Sequence, residues 1–262
     1  MQQQSQQQSN EIRTDLIVGR NAVLEAVRSG REIDQLFVAK GAAAGSLSVI
    51  IQKCRAKKIP VKEVPVQKLD FLSGGGVHQG VIATVAAQSY CDLSDILAAA
   101  AAKNEPPLVV ICDGLEDPHN LGAILRTAEA TGVHGIIIPK HRSVSLTATV
   151  AKSASGALEY VPVCKVTNIA NTIDELKKNG FWVFGADMDG QNWYESDYTS
   201  PTAVVIGSEG NGISRLVREK CDAIISLPMC GKINSLNASV AAGVILYEVA
   251  RQRLAGRRNK AD

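Results

Sequence analysis

Two short apolar runs near the C-terminus, 203–206 and 223–227, each end in a segment that cannot continue a β-strand. Glycines within 207–212 permit positive φ after the first run, and Pro228 follows the second. Uninterrupted apolar runs of this length are typical of strands buried on both faces of a parallel sheet. Ligands of open α/β sheets bind at the carboxyl ends of the strands. We therefore expect a small-molecule site between these two loops, at the ends of neighbouring strands.

The glycine-rich segment 207–212 has the pattern G-x-x-G-x-G, which differs from the dinucleotide-binding fingerprint. It also contains Glu209, whose carboxylate suits a ligand with cationic or hydroxyl groups better than a pyrophosphate. A tight turn without any ligand is the alternative interpretation, because glycine loops after strands often serve only to reverse the chain.

The 262-residue chain has a formal net charge of +2, so any nucleic-acid-binding patch must be local. The six cysteines form no C-x-x-C pair and no zinc-type cluster with histidine. We therefore expect free thiols, no metal ion, and a reducing, cytoplasmic location. No apolar run approaches the roughly 20 residues of a membrane span, so no membrane association is expected. Residues 1–13 are glutamine-rich and predicted to be a disordered tail, without the features of a secretory signal.

Residues 14–87 are predicted to form a small α/β domain. The predicted helices are 21–27, 47–57 and 66–72, and the predicted strands are 36–38, 61–64 and 81–86. Basic residues cluster around the second helix, forming either a solvated face or a phosphate-contacting one: Lys53, Arg55, Lys57, Lys58 and Lys62. His78 and Gln79, in a loop that we expect to be mobile, offer polar groups suited to reading unpaired RNA bases.

A linker is predicted at 88–107, with a short alanine-rich helix at 93–102 and a Pro-Pro pair at its end. From 108 to 255 strands alternate with helices, which predicts a mainly parallel sheet. The predicted strands are 108–112, 136–138, 181–186, 203–206 and 223–227; the predicted helices are 121–131, 169–179 and one opened by 235–237, with apolar Val240, Val244 and Tyr247. The basic tail 256–262 and the arginines before it either contact phosphates or stay flexible: Arg251, Arg253, Arg257, Arg258 and Lys260.

The first strand of the second domain leads into a polar segment that spans 113–126. Pro118 rules out a longer strand, and Asn120 fits the N-cap of the following helix. Arg126 lies about two turns further on. A surface ion pair with Glu129 would be sufficient to explain an arginine at this position. Taken singly, neither Asn120 nor Arg126 identifies a site.

Three segments in this order resemble the three motifs of the SpoU/TrmH family of RNA ribose 2′-O-methyltransferases, in the SPOUT superfamily. They are 113–128 (DG…NLG…RTA), 205–210 (VIGSEG) and 225–241 (ISLPM…SLNASVA). The segment 153–159 also resembles a family segment. The front domain, with GRNAV at 19–23 and HQGV at 78–81, is similar to the substrate-binding domain of the RlmB-type branch, which modifies a guanosine in large-subunit ribosomal RNA.

The resemblance implies an α/β fold whose C-terminal domain has a SPOUT-type parallel sheet with a trefoil knot. The smaller N-terminal substrate-binding domain would resemble ribosomal-protein, L30e-like RNA-binding folds. The cofactor would be S-adenosylmethionine, the substrate ribosomal RNA, and the enzyme a homodimer in which each site uses both subunits. Backbone groups of Gly207, Leu227 and Leu236 would hold the adenine and ribose of the cofactor, and Ile206 and Met229 would add apolar walls.

Carried over by motif, the catalytic group is Asn120, Arg126, Glu209, Ser235 and Asn237. A ribose hydroxyl is a poor nucleophile unless its proton leaves in the transition state, but a guanidinium keeps its own proton at ordinary pH. We therefore expect Arg126 to clamp the adjacent phosphate and stabilise the developing alkoxide. Glu209 is expected to hold Arg126 or the substrate, and Ser235 and Asn237 to position the ribose and the helix terminus.

Three alternatives stay open at this point. The target is transfer RNA, the chain is a non-catalytic RNA-binding protein on the same fold, or it is a different adenine-nucleotide enzyme that uses the glycine loop. The chain contains no G-x-x-x-x-G-K-[ST] motif, which argues against a nucleoside triphosphatase.

Overall fold

The computed structural model describes residues 16–29, 31–42, 45–85 and 88–258. The predicted disordered segment 1–13 and residues 259–262 of the predicted basic tail lie outside the described residues. The chain divides into two compact units, Met1–Ser89 with Ser145–Ala148, and Tyr90–Val144 with Thr149–Asp262. The structure therefore places most of the predicted linker 88–107 inside the second unit.

The first unit is built on a four-stranded sheet. Its strands are β1 Leu16–Val18, β2 Ile33–Ala39, β3 Val61–Val64 and β4 Val81–Val85, and its helices are α1 Arg20–Ser29, α2 Ser46–Ala56 and α3 Val66–Ser73. The strand order is β1-β4-β2-β3, with β2 parallel to β3 and β4 antiparallel to β1 and β2. Because successive strand residues face opposite sides, Leu36 of β2 packs in one core with Val23 and Ile50, while Phe37 packs in a second core with Leu69.

The second unit contains a parallel sheet, which confirms the prediction of a parallel α/β sheet in this part of the chain. Its strands are β5 Leu108–Asp113, β6 Gly135–Pro139, β7 Val163–Val166, β8 Trp182–Asn192, β9 Thr202–Gly207 and β10 Ala223–Ser226. All adjacent pairs are parallel, and the order is β10-β8-β9-β5-β6-β7. The expectation that the last two strands are neighbours was wrong, because β8 lies between β9 and β10.

Six α-helices of the second unit fall within the described residues: α4 Leu93–Ala102, α5 Pro118–Ala130, α6 Ala148–Ala154, α7 Ile169–Lys178, α8 Arg215–Lys220 and α9 Ala238–Arg258. Ile111 of β5 and Val205 of β9 face a core formed with residues of α4, α7 and α8. The alternate residues Val110 and Val204 are also fully buried, so the apolar runs are covered on both faces. Ile96 of α4 belongs to this core, which makes the predicted linker helix a packed element of the second unit.

Two arginines of α9, Arg251 and Arg253, form contacts within the second unit. The guanidinium of Arg253 donates hydrogen bonds to backbone carbonyl oxygens of Pro106, Pro107, Tyr198 and Ser200. Arg251 pairs with Glu248 in the same helix. The donors of Arg253 hold the start of β5 and the approach to β9 against α9, so this arginine has a structural role. Within the described residues, no helix combines the length and the apolar character needed to span a membrane.

Candidate functional site

The glycine loop after β9 is a closed backbone turn at the carboxyl edge of the sheet. The N–H of Ser208 donates to the carbonyl oxygen of Gly212 at 3.0 Å, and the N–H of Gly212 donates back to Ser208 at 2.9 Å. A Cβ on Gly207 would lie 2.1 Å from the carbonyl carbon of Gly212. Only glycine therefore fits at Gly207, and the turn presents the side chain of Glu209 at the end of β9.

Asn120 is not the N-cap of its helix, which corrects the sequence-based interpretation. Asp117 is the N-cap, because its carboxylate accepts a hydrogen bond from the N–H of His119 at 2.8 Å and Pro118 occupies the first helical position. Asn120 is therefore the third residue of α5, and it is only 5% exposed. A buried amide of this kind requires hydrogen-bond partners for both of its ends.

The amide of Asn120 links two loops. It contacts Glu209 in one loop and Asn237 in the other, and these two residues are 28 positions apart in the sequence. Its Nδ2 donates to Oε1 of Glu209, and its Oδ1 accepts from Nδ2 of Asn237 at 2.9 Å. These two bonds fix the orientation of the amide, since the donor must face the carboxylate. Three of the five predicted catalytic residues therefore meet in one hydrogen-bonded chain.

Asn237 also caps the last helix. Its Oδ1 accepts hydrogen bonds from the backbone N–H groups of Ser239 at 2.9 Å and Val240 at 3.3 Å, and from the hydroxyl of Ser239 at 2.6 Å. This places the N-terminus of α9, with its partial positive charge, beside Asn120 and Glu209. The predicted role of Asn237 at the helix terminus agrees with this geometry.

The other two predicted catalytic residues, Arg126 and Ser235, have exposed side chains. Among the described residues, Arg126 forms no ion pair with Glu129 or with Glu209, so neither of the contacts expected from the sequence is present. Arg126 lies six positions after Asn120 on α5. Its guanidinium is available to an anionic ligand, while Glu209 is engaged by Asn120.

The five predicted cofactor residues lie on two segments that end at the same edge of the sheet. Ile206 and Gly207 are buried at the end of β9, and Leu227, which follows β10, is partly buried. Met229 is 38% exposed and Leu236 is 43% exposed. In the part of the chain that the structure describes, residues 229–236 lie outside helices and strands and form no backbone hydrogen bond. Their N–H and C=O groups are therefore free to contact a ligand.

Three features beside this site were not singled out from the sequence. Asp113 at the end of β5 accepts a hydrogen bond from the N–H of Ser214 at 2.7 Å. A Cβ on Gly122 would lie 2.3 Å from Cβ of Ser153, so α5 and α6 approach at a distance that only glycine permits. The exposed basic residues 140–142 follow β6, and the same rule about carboxyl strand ends would have pointed to them.

Two cysteines of this unit, Cys112 and Cys221, have thiols with raised pKa values. Burial raises the pKa of Cys112 in β5 to about 12, with a further contribution from the Asp113 carboxylate. Burial likewise raises the pKa of Cys221 to about 11. Both thiols stay protonated at neutral pH, so neither supplies a thiolate nucleophile. Across the described ranges no group of three or more His, Cys, Asp and Glu side chains is placed to hold a metal ion.

Comparisons with known proteins match both units. Residues 107–247 match the family described as "SpoU rRNA Methylase family", and residues 16–91 match "RNA 2'-O ribose methyltransferase substrate binding". A Bacillus subtilis protein called YacO, assigned to the TrmH family of tRNA/rRNA methyltransferases, is 50% identical over 240 residues, which cover 91% of this chain and 96% of YacO.

Two solved structures extend this similarity. The SpoU methyltransferase AviRb from Streptomyces viridochromogenes, in complex with the cofactor AdoMet, is 26% identical with a TM-score of 0.59, over 92% of this chain and 90% of AviRb. The TrmH/SpoU tRNA modifying enzyme from A. aeolicus is 34% identical with a TM-score of 0.54, over 58% of this chain and 78% of that one.

Proposed function

The chain belongs to the SpoU/TrmH family of RNA methyltransferases, and from that premise we propose that it transfers a methyl group from S-adenosylmethionine to a ribose 2′-hydroxyl of RNA. We further propose a guanosine in large-subunit ribosomal RNA as the target. The front-unit match to a substrate-binding domain supports an RNA substrate. A transfer RNA target is the second candidate, because the A. aeolicus relative is a tRNA modifying enzyme.

The residues present fit S-adenosylmethionine. The free backbone groups of 229–236 offer donors and acceptors to an adenine and a ribose, and the partly exposed Met229 and Leu236 offer apolar surface. Ile206 and Gly207 provide a rigid, buried floor at the end of β9. The proposed trefoil knot would bring these two segments together, and the position of β8 between β9 and β10 is compatible with it.

The observation that carries the proposal is the amide of Asn120. It joins Glu209 of the glycine loop to Asn237 at the start of α9, so both loops keep one arrangement around the proposed cofactor site. Asn120 and Asn237 are in this proposal positioning residues, because they act through the loops that they hold. The proposed role of Ser235, two residues before the cap, is to contact the ribose.

When bound, S-adenosylmethionine supplies an electrophilic methyl group on a sulfonium. Arg126 binds the phosphate next to the target ribose and stabilises the charge that develops on the 2′-oxygen. The guanidinium does not act as the base, because it keeps its proton at ordinary pH. Its exposed position on α5, without an ion pair among the described residues, leaves its planar fork available for two parallel hydrogen bonds.

We also propose a homodimer in which each site uses both subunits. Val240, Val244 and Tyr247 are 51%, 40% and 59% exposed, and their spacing places them on one face of α9. They form an apolar stripe that is exposed to solvent in an isolated protomer. A second copy of the chain, packed on this stripe next to residues 229–236, would cover it.

The test is a transfer assay with radiolabelled S-adenosylmethionine on ribosomal and transfer RNA from a strain that lacks the gene, followed by mapping of 2′-O-methyl sites. Arg126→Ala should lower the rate by roughly 100-fold, the usual effect of removing a charge-stabilising donor. Arg215→Ala is the matched control for this substitution, since the side chain of Arg215 is 89% exposed on α8. If Arg126→Lys retained wild-type activity, the proposal that the reaction requires a planar guanidinium would be wrong.

Truncation separates the roles of the two units. Removing residues 1–90 should abolish methyl transfer to RNA while S-adenosylmethionine binding, measured by calorimetry, persists. Full activity of the truncated protein on ribosomal RNA would contradict the assignment of RNA recognition to the first unit.

A further inference from the structure

The first unit exposes two large apolar side chains that contribute nothing to its cores. Phe71, in the last turn of α3, is 82% exposed, and Val77, in the following loop, is 83% exposed. Among the described residues these are the two highest exposures of any large hydrophobic side chain. Folding does not account for them, because nearly all of their apolar surface stays in water.

The loop that carries Val77, which the sequence predicts to be mobile, is braced by hydrogen bonds of His78. Nδ1 of His78 accepts a hydrogen bond from the N–H of Gly80 at 3.0 Å. The proton of the neutral ring is therefore on Nε2, which donates to Oδ1 of Asp70 at 2.9 Å. The ring ties the loop to α3, so Phe71 and Val77 are carried by one hydrogen-bonded segment.

A second brace comes from the start of α1. The side-chain Nε of Arg20 donates to the carbonyl oxygen of Gln79 at 2.9 Å, and the backbone N–H of Arg20 donates to Oε1 of Gln79 at 3.0 Å. Gln79 itself has a φ of 52°, a conformation that side chains other than glycine seldom adopt. Within the described residues, Nε2 of Gln79 donates to no protein group, so one amide donor faces outward.

The net charge of the first unit as a whole indicates the kind of partner that it binds. Residues 16–89 contain ten Lys and Arg against five Asp and Glu, whereas the whole chain has a net charge of +2. One residue of the basic cluster around α2, Lys57, donates a hydrogen bond to the carbonyl oxygen of Val27 at 2.6 Å and so stabilises the fold. Lys53, Arg55, Lys58 and Lys62 are exposed, as is Lys68 one turn before Phe71. A polyanion with apolar, flat groups complements this combination.

We propose that Phe71 and Val77 form a docking surface for an unpaired base of the RNA substrate, an inference that rests on the proposed function. The base stacks on the ring of Phe71 and against Val77, Nε2 of Gln79 donates to its edge, and the exposed Lys68, one turn before Phe71 on α3, contacts a phosphate. A base inside a regular duplex cannot reach the ring, because both of its faces are covered by neighbouring bases. The first unit therefore selects RNA that has unpaired nucleotides.

The test uses the full chain without cofactor and two fluorescein-labelled probes, an RNA hairpin with an eight-nucleotide loop and a fully paired duplex of the same stem. The double variant Phe71→Ala/Val77→Ala should bind the hairpin about 10-fold more weakly, as expected for the loss of one stacked base. Its affinity for the duplex should not change. The matched control is Val49→Ala/Val66→Ala, whose side chains are 45% and 48% exposed in the same unit. This control should bind both probes like the wild type.

A direct readout comes from Phe71→Trp, which keeps a stacking face. Its indole fluorescence should be quenched by the hairpin and not by the duplex. Equal weakening of the double variant on both probes, or equal weakening by the control, would overturn the proposal. A loss of self-association with unchanged RNA binding would also overturn it and identify the surface as a protein interface.

Failure of the proposed methyl transfer can be distinguished from failure of the proposed base docking. If methyl transfer fails on every RNA but the two probes still distinguish the double variant, base docking stands and the enzymatic proposal falls. If methyl transfer proceeds and the double variant binds the hairpin like the wild type, base docking falls alone.

Discussion

Replacing Asn120 by aspartate tests the hydrogen-bonded chain on which the site depends. The substitution keeps the shape of the side chain but replaces the Nδ2 donor, which now faces Oε1 of Glu209, by an oxygen. Two carboxylates about 4 Å apart at an effective dielectric constant of ~20 repel by about 4 kcal/mol. Glu209 is exposed, so solvent screening and movement of its loop reduce the net cost to about 1.5 kcal/mol.

A cost of this size corresponds to about tenfold weaker binding of any ligand that requires the loop in its native position. Isothermal titration calorimetry with S-adenosylmethionine at pH ~8 and pH ~6 measures it. At the lower pH one of the two carboxyl groups of Asn120→Asp becomes protonated more often, and its O–H restores a donor to the pair. The affinity of the variant should therefore recover partly as the pH falls, and the wild type should show no such recovery.

Two controls separate this electrostatic effect from a general one. Asn120→Ala removes both hydrogen bonds without adding charge, so it should bind the cofactor more weakly at both pH values without recovery. Asn171→Asp adds the same charge on the exposed surface of α7 and should behave like the wild type. The reasoning is refuted if Asn120→Asp binds as tightly as the wild type at pH ~8, or if Asn120→Ala shows the same recovery.

Three further predictions follow from particular contacts. Gly207→Ala places a Cβ 2.1 Å from the carbonyl carbon of Gly212 and should abolish cofactor binding in calorimetry, whereas Gly256→Ala, with nothing within 4 Å, should not. Burial lowers the pKa of His134, whose Nδ1 accepts from the N–H of Leu108. Because the unfolded chain binds that proton more readily, stability should fall as the pH drops below about 6.5, by at most ~1.4 kcal/mol per pH unit, and thermal melts of His134→Gln should lose this slope. Tyr247→Asp, which puts a charge on the stripe of α9, should give a monomer by light scattering, and a wild-type monomer at the same concentration would refute the dimer.

The strands were the most predictable part of the fold. Val109, Val110 and Ile111 are consecutive, apolar and fully buried, and such a run has few alternatives to a strand covered on both faces. Strand β7 and helix α8 were missed because they are short and carry little pattern: β7 spans four residues and α8 spans six, of which only Val217 is buried. Their existence depends on neighbours in space rather than on local periodicity.

The motifs predicted three residues that the structure brings together, Asn120, Glu209 and Asn237, and local capping chemistry would have refined the prediction. The pair Asp117-Pro118 is a typical N-cap followed by a first helical proline. This assignment places Asn120 inside the first turn of the helix, at a buried position, rather than at the cap. The order of the strands was beyond local sequence reasoning. Pairing between β8 and its neighbours β9 and β10 is non-local, so no residue within either loop reports that β8 lies between them.

The proposed cofactor site and the proposed dimer interface of this chain share one continuous segment. Residues 229–236 leave their backbone groups unpaired and carry Ile233 with 72% of its side chain exposed, and α9, which begins immediately afterwards, exposes its apolar stripe. A ligand or a second subunit that binds here displaces the water that hydrates these groups. If the cofactor and the second subunit cover neighbouring parts of this segment, the binding of either one orders residues that the other contacts. The second binding event then costs less conformational entropy than the first. We infer that the affinity for S-adenosylmethionine depends on protein concentration and that the cofactor, by reciprocity, strengthens the dimer.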